Sequence, residues 1–269
     1  MCALREASDE DLATIWPAAR AAHLFPSADE FRSWRDRAPW HVLVNDRGDA
    51  ALVVPWRAHL DLLAVRALWC PPGRVPGLLD DLRAVAREHG FRGLVSPLLA
   101  EEAVGPYVRG NMEVRERIVA LRAAPSAVPR PAPPAGVLLR RATPGDAEDV
   151  AAVEGACFDD FWRHGADDIR SDLPADRLML ACEGRSVLGY TLSGATRGNV
   201  ALGRLAVTPA AQRRGIGRAL VADVAEYAEQ CRATAITLCT QEINAASRAL
   251  YAACGFRELP GTLVIATDR

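Results

Sequence analysis

The stretch of sequence that decides the fold is Gln212-Arg213-Arg214-Gly215-Ile216-Gly217-Arg218. It follows an apolar run from Val200 to Val207 that is typical of a strand. It opens a run from Ile216 to Cys231 in which apolar residues recur every three or four positions, as in an amphipathic helix. A glycine-rich turn between a strand and a helix exposes backbone N–H groups at the positive end of the helix dipole. Such a turn suits a pyrophosphate, to which arginines add positive charge.

Other interpretations of this turn are weaker. A G-x-G segment also occurs in plain structural loops, which remains the simplest alternative. The dinucleotide-binding motif G-x-G-x-x-G is incomplete, because Leu220 stands where its third glycine belongs. No G-K-[ST] follows, and all 32 basic residues are arginine, so neither a phosphate-loop lysine nor a Schiff-base lysine is available.

Outward from the turn, the C-terminal half alternates strand and helix patterns. It predicts an α/β (α+β) fold with a mixed, mostly antiparallel sheet flanked by helices. Strands are expected at Val137 to Ala142, Leu178 to Cys182, Val187 to Leu192, Val200 to Val207 and Ala235 to Leu238, helices at Ile216 to Cys231 and Asn244 to Ala253, and a final hairpin from Gly255 to Ala266.

A proline-rich segment divides the chain. Residues 123–136 contain five prolines, which exclude a helix and indicate a semi-rigid linker. The sequence therefore predicts a domain at residues 1–122, a Pro/Ala-rich linker at 123–136 and a second domain at 137–269.

The two halves also resemble each other. Leu63-Ala64-Val65 matches Leu205-Ala206-Val207 at an offset of 142, and other blocks match at offsets of 135 and 144. Chance similarity in an Ala/Leu/Arg-rich chain is the alternative to duplication. By this alignment Cys70 to Val75 replaces Gln212 to Gly217, and its two prolines remove two N–H donors. The N-terminal copy is therefore expected to bind no pyrophosphate.

A second motif follows the next predicted strand. It reads Asn244-Ala245-Ala246-Ser247-Arg248-Ala249-Leu250-Tyr251 and ends in Gly255-Phe256. Together, Q-R-R-G-I-G after one strand and N-x-x-S-x-x-L-Y-x-x-x-G-F after the next resemble the GNAT superfamily of acyl-CoA-dependent N-acyltransferases. The resemblance covers about half of the chain strongly. It implies two tandem GNAT-like domains, of which the N-terminal copy is degenerate and the C-terminal one catalytic.

The resemblance also implies a reaction and a site. Acetyl-CoA (coenzyme A) would be the co-substrate, and the primary amine of a small molecule or peptide would attack its thioester directly. The resemblance implies that adjacent strands separate near Ala206 to admit the pantetheine arm, and that a backbone N–H at Ala206 to Val207 meets the oxyanion. The cofactor-binding residues that it implies are Leu205, Ala206, Val207, Gln212, Arg213, Arg214, Gly215, Ile216, Gly217, Arg218, Asn244 and Ser247.

The catalytic groups are assigned less completely. Tyr251 stands where the family keeps the general acid that protonates the leaving thiolate, although it could simply pack in the core. Asn244 could equally be an N-cap. Cys239 occupies a position where several protein-acetylating relatives carry a glutamate, which leaves the general base open. Its candidates, each of which could be a solvated surface group instead, are Glu242, Glu154, Asp159, Asp160 and His164.

The acceptor amine is expected near Cys157 to His164, which we name the acceptor segment. This segment corresponds to the helix and loop on the acceptor side in relatives. Its carboxylates could attract a cationic amine, and its three aromatic residues could shape a pocket. Packing of the aromatic residues into the core is the competing interpretation.

Composition narrows the remaining possibilities. A formal charge of −2 gives no general attraction to nucleic acid, and no apolar run approaches the roughly 20 residues of a membrane span. The start of the chain does not resemble a secretory signal, so a cytoplasmic protein, monomeric or homodimeric, is expected. Seven cysteines without a C-x-x-C pair predict neither disulfides nor a metal site. A non-catalytic acyl-CoA sensor or interaction module and an N-terminal protein acetyltransferase remain alternative functions.

Overall fold

The structure is a computed structural model that describes residues 4–22, 24–25, 27–172, 177–196 and 198–268. Its described residues fall into two compact units. Unit 1 comprises Met1–Trp56, Leu60–Glu116 and Leu263–Arg269, and unit 2 comprises Arg57–His59 and Arg117–Thr262. Unit 2 thus begins upstream of the proline-rich segment, and the last strand of the chain returns to unit 1. Among the described helices, none has the length and hydropathy that a membrane crossing requires.

The first half of the chain supplies seven strands and four helices among the described residues. In chain order these are β1 (Arg5–Glu6), α1 (Asp9–Ala21), α2 (Ala28–Arg37), β2 (Val42–Val44), β3 (Ala50–Pro55), β4 (Leu62–Trp69), α3 (Val75–Glu88), β5 (Gly93–Val95), β6 (Leu99–Ala100), α4 (Gly105–Arg109) and β7 (Met112–Ala123). Helix α1 begins at a capping box, in which Ser8 accepts the N–H of Asp11 and the Asp11 carboxylate accepts the N–H of Ser8.

The second half supplies another seven strands and four helices in the described part of the chain. They are β8 (Val137–Arg141), α5 (Ala147–Cys157), α6 (Ala166–Asp172), β9 (Arg177–Glu183), β10 (Ser186–Thr196), β11 (Asn199–Val207), α7 (Ile216–Gln230), β12 (Ala235–Gln241), α8 (Ala245–Ala253), β13 (Arg257–Glu258) and β14 (Leu263–Asp268).

Each unit is built on a mixed sheet that is mostly antiparallel. In unit 1 the strand order is β1-β2-β3-β4-β5-β14, and β4 with β5 is its parallel pair among the described residues. In unit 2 the order is β8-β9-β10-β11-β12-β7, and the parallel pair is β11 with β12. The predicted fold class is therefore confirmed.

Helices cover both faces of the unit 2 sheet. The buried stripe of α7, including Val221 and Val224, packs against strand residues such as Ile236. On the other face, Val150 and Val153 of α5 belong to a second buried cluster with strand residues of β9 and β10. The apolar spacing that predicts helix α7 is the spacing that these contacts use.

The sequence predicts that the chain ends in a hairpin, and this prediction is wrong. β13 pairs with β7 in unit 2, whereas β14 pairs with β5 and β6 in unit 1. β7 in turn comes from the first half of the chain and pairs with β12 of the second. Each half therefore contributes its last long strand to the unit that holds most of the other half. Apolar alternation predicts a strand, but it carries no information about which partner the strand will have.

Candidate active site

The parallel strands of unit 2 stop pairing at Ala201, ahead of Ala206, near which the separation is predicted. β11 and β12 pair only from Asn199 with Ala235 to Ala201 with Thr237. Both strands then continue, β11 to Val207, but no further pairing between them occurs within the described residues. A bulge at Gly203, unpaired between two register positions on β10, lies at the start of this separation. The edge of β11 that faces β12 is open from there onward.

The main chain at the end of β11 offers a donor to this gap. Thr208 donates its N–H to Leu188 of the β10 side at 2.8 Å. Because antiparallel pairing alternates, the N–H and carbonyl of Val207 point away from β10. The Val207 carbonyl accepts from the Gln212 side-chain amide at 3.0 Å and from the Cys157 thiol at 3.3 Å. Val207 thus presents its backbone groups on the open side of β11.

The turn before α7 has the conformation that an anion site requires. Arg213 and Gly215 both have left-handed backbone, with φ of 64° and 88°. The first helical N–H with an acceptor is that of Ala219, which donates to the Gly215 carbonyl at 3.1 Å. Among the described residues, none accepts from the N–H groups of residues 216–218. These groups are the orphan donors of a helix N-terminus, and Gly215 provides no side chain to cap them.

The two glycines of the turn are required for different reasons. Gly215 needs its positive φ, and a Cβ there would meet only Pro134 at an ordinary 3.8 Å. At Gly217 a Cβ would lie 3.1 Å from Leu250 Cδ2, so this glycine allows α7 to approach α8 closely. The Cβ direction of Gly217 therefore faces a packed side chain.

The three arginines of the turn differ in availability. Arg214 forms an ion pair with Glu183 at the β9–β10 turn. Their hydrogen bond, together with the attraction between their charges, raises the pKa of the Arg214 guanidinium and lowers that of the Glu183 carboxyl. Arg213 and Arg218 are exposed, and neither forms an ion pair with a described residue. These two cations are free to meet a phosphate.

The strand register aligns the two halves of the chain differently from the sequence. β4 pairs with β5 over three residues, and β11 pairs with β12 over three residues as well. In both halves a bulge, at Arg66 or at Gly203, follows the first of these paired residues at the same separation along the strand. Leu63 therefore corresponds to Val200. The alignment of Leu63 with Leu205 that the sequence suggested is wrong, because similar apolar strand residues recur along β11 and an ungapped comparison cannot choose among them.

The corrected register shows what the first half lacks. A 3-10 turn follows the strand in both halves, at Pro72–Arg74 and at Pro209–Ala211. In the first half α3 begins immediately, at Val75, whereas residues 212–215 stand before Ile216 in the second. The first half has therefore lost these four residues altogether, rather than replacing them by prolines. Its inability to bind a pyrophosphate stays a prediction and now rests on a missing turn.

Helix α8 places the second motif beside this site. The Asn244 side-chain oxygen accepts the N–H of Ser247 at 3.0 Å, so Asn244 is the N-cap of α8. Tyr251 is 6% exposed, and its ring centroid lies 5.8 Å from that of Phe256. Both residues belong to the buried cluster between α7 and the sheet. Burial raises the pKa of the Tyr251 phenol well above its usual value, which keeps it protonated at neutral pH.

A buried ion pair lies under the acceptor segment, and the sequence did not reveal it. Glu154 of α5 is fully buried and accepts from Arg204 through both oxygens, from the Tyr190 hydroxyl, and from the His164 N–H at 2.8 Å. Arg204 also donates to the Trp162 carbonyl at 2.9 Å. The available signals were an arginine inside an apolar strand and a glutamate on an apolar helix face. Glu154 is therefore saturated with donors and is neither a solvated group nor a free base.

The other acceptor-segment residues have structural partners as well. Phe161 is buried, in agreement with the core-packing interpretation, and Phe158 lies under the Arg204 guanidinium at 4.0 Å. The Asp159 carboxylate accepts the Trp162 N–H at 3.0 Å, and Asp160 forms an exposed ion pair with Arg163 at 2.9 Å. The segment is thus an ordered turn with its carboxylates at the surface.

Comparison with known proteins matches part of the chain to a family. Residues 147–256 match the model of the acetyltransferase (GNAT) family, and no curated protein matches the sequence. This range contains the strand gap, the turn before α7 and the second motif.

Solved structures match over nearly the whole chain. A tandem GNAT protein from the clavulanic acid biosynthesis pathway is 19% identical with a TM-score of 0.67, covering 99% of this chain and 97% of that one. A GCN5-related N-acetyltransferase from Sphaerobacter thermophilus is 20% identical with a TM-score of 0.64, covering 98% and 94%. At these identities the likeness establishes the fold and not the activity.

Proposed function

We propose that this chain transfers an acetyl group from acetyl-CoA to a primary amine, since residues 147–256 match the model of the acetyltransferase (GNAT) family. The observation that carries the proposal is the open edge of β11, which leads to three unpartnered N–H groups at the start of α7. A pantetheine arm can bond an open strand edge as an added strand would, and a pyrophosphate suits a helix N-terminus.

The proposed cofactor site follows this surface from strand to helix. The Val207 main chain and its neighbours on β11 would bond the pantetheine arm. The N–H groups of residues 216–218, with Arg213 and Arg218, would meet the pyrophosphate. The full set that we propose is Leu205, Ala206, Val207, Gln212, Arg213, Arg214, Gly215, Ile216, Gly217, Arg218, Asn244 and Ser247. Within this set, Asn244 caps α8 through its side-chain oxygen, so its side-chain N–H₂ can still bond a ligand. Arg214 is paired with Glu183, and we propose that it orients the turn and does not itself bind the phosphate.

The proposed chemistry uses two groups of this chain. The amine attacks the thioester carbonyl, and the Val207 N–H stabilises the negative charge that develops on the carbonyl oxygen. The bond to sulfur then breaks, and the Tyr251 phenol supplies a proton to the departing thiolate. The raised pKa of Tyr251 keeps that proton on the phenol before the thiolate forms. The proton that the attacking nitrogen loses on becoming an amide returns to the Tyr251 phenolate, so the step balances. The acceptor is proposed to be a small molecule or a peptide with a free amine.

The test compares Tyr251→Phe with wild type in acetyl-CoA binding by calorimetry and in release of the coenzyme A thiol. Glucosamine, spermidine, tryptamine and a short peptide with a free N-terminus serve as acceptor probes. We expect binding by both proteins and a loss of turnover of about 100-fold in the variant, the scale of a lost general acid. Tyr107→Phe is the matched control, because Tyr107 is a buried tyrosine at the related place in the first half and should leave turnover unchanged.

The outcomes separate the alternative functions. Binding without turnover by the wild type against every probe would contradict the enzyme and support a non-catalytic acyl-CoA sensor. Turnover confined to the peptide would support an N-terminal protein acetyltransferase. No binding of acetyl-CoA by the wild type would contradict the proposal altogether.

A further inference from the structure

A short hairpin tip from the first half of the chain belongs to unit 2. Residues Arg57–His59 connect β3 and β4, whose own residues lie in unit 1, yet they are part of unit 2. The Ala58 N–H donates to the Asp168 carboxylate at 3.3 Å. The His59 Nε2 lies 2.9 Å from the Asp160 carbonyl oxygen. A carbonyl can only accept, so Nε2 carries a proton in this arrangement.

These two bonds reach the acceptor segment and the first residues of α6. The carboxylate of Asp168 that meets Ala58 also accepts the Gly165 N–H at 2.7 Å, immediately after the segment. The hairpin tip therefore bonds the segment at the main chain of Asp160, and it bonds the side chain of Asp168 just beyond the segment.

The buried ion pair of Glu154 and Arg204 bonds the same segment to the sheet. Arg204 donates to the Trp162 carbonyl, and Glu154 accepts the His164 N–H. The main chain is thus bonded at positions 160, 162 and 164, by the hairpin tip at the first and by the ion pair at the other two. A turn bonded in this way has a fixed shape rather than an adaptable one.

The held segment adjoins the reactive end of β11. Arg204 lies on the same strand as Val207, and Cys157 at the start of the segment donates its thiol proton to the Val207 carbonyl. Given the proposed function, an amine that approaches the thioester from this side meets the segment. His59 is exposed, and when its ring is neutral Nδ1 remains as a hydrogen-bond acceptor.

We propose that the hairpin tip Arg57–His59 is a specificity-determining part of the acceptor site, with His59 as a positioning residue. The inference rests on the proposed function. It gives the first half a task that needs no cofactor: it fixes the shape of the acceptor segment of the catalytic half. The acceptor that it selects is an amine whose body can hydrogen-bond to a polar rim.

The test compares His59→Ala, His59→Gln and Asp61→Ala. Loss of one hydrogen bond that holds the segment should raise the KM of the best probe amine about tenfold, while kcat and the Kd for acetyl-CoA stay within about twofold. Amide hydrogen exchange at residues 159–165 should accelerate in parallel. His59→Gln can still donate from a side-chain N–H to the Asp160 carbonyl, so it should recover most of both effects.

Asp61→Ala is the matched control on the same hairpin. Its carboxylate pairs with Arg92 between two exposed side chains, and it should change neither KM nor exchange. An active wild type whose His59→Ala variant keeps both the amine KM and the exchange rates would overturn the inference alone. A wild type that does not bind acetyl-CoA would instead refute the proposed function on which the inference rests.

Discussion

The Glu154 and Arg204 side chains illustrate how a buried charge pair can serve a site without joining its chemistry. Glu154 is entirely buried, and Arg204 bonds both to it and to the main chain of the acceptor segment. Buried pairs contribute little net stability compared with apolar replacements, but breaking one strands a charge. This pair bonds the segment to β11 through the Trp162 carbonyl and the His164 N–H.

Removing one partner of the pair should therefore lower the free energy of unfolding much more than replacing both partners by apolar residues. Arg204→Ala leaves the Glu154 carboxylate buried without a counter-ion, and we expect the free energy of unfolding to fall by about 3–5 kcal/mol. The double variant Glu154→Leu with Arg204→Met should recover most of that loss. Urea unfolding followed by circular dichroism measures both. A single variant within about 0.5 kcal/mol of wild type would show that the pair is not desolvated as the structure has it.

The sequence reveals a site residue when that residue stands in a motif of fixed spacing. Tyr251 and Asn244 stand in a motif with fixed spacing, so their places were predictable. Arg204 and His59 come from distant points of the chain, and only the fold brings them to the acceptor segment. No local spacing records such a meeting.

Among the elements, the turn before α7 is where the two halves differ most. Strand, bulge and 3-10 turn are shared, and the four residues 212–215 are present in the second half alone. The strands and helices of the second half were predictable from apolar periodicity. The missing turn was not, because an alignment without gaps hides a deletion among similar leucine and valine residues.

Backbone strain in this turn should weaken the binding of acetyl-CoA more than it lowers the stability of the fold. Gly215→Ala forces a side chain onto a residue with φ of 88°, which costs about 1 kcal/mol and shifts the N–H groups that follow. We expect the Kd for acetyl-CoA, measured by calorimetry, to rise about tenfold.

Gly48→Ala is the matched control for that variant. Gly48 has φ of 75° and, like Gly215, enough open space for a methyl group, but it lies in the β2–β3 turn of unit 1. It should lose a similar amount of stability in urea and keep the affinity for acetyl-CoA. Equal losses of affinity in the two variants would mean that backbone strain acts through global stability and not through the turn.

For the molecule as a whole, the tandem fold was predictable and its strand exchange was not. Repeated motifs on either side of a proline-rich segment indicated one fold used twice, and the structure of a tandem GNAT protein matches nearly the whole chain. The sequence still gave no sign that β7 pairs with β12 and β14 with β5. Partner choice depends on which sheet edge is open when the chain collapses, and that is a property of both halves together.

The exchange makes each half dependent on the other. A fragment of residues 137–269 would lack β7, which pairs with β12 through residues 118–123. It would expose one long edge of its sheet and leave β14 without β5. Exposed edges favour aggregation or strand swapping. We therefore expect this fragment to be insoluble or swapped into oligomers, with no monomer that binds acetyl-CoA in light scattering and calorimetry.

A fragment that follows the observed units should behave better, although it begins inside the first half. Residues 112–262 keep the whole of β7 and omit β14, so β12 retains its partner along residues 118–123 of β7. We expect a monomer that binds acetyl-CoA, while its acceptor segment, lacking Arg57–His59, exchanges its amide protons faster than in the full chain. A soluble monomer of residues 137–269 that binds acetyl-CoA as tightly as the full chain would contradict the exchanged pairing, because β12 would then need no strand from the first half.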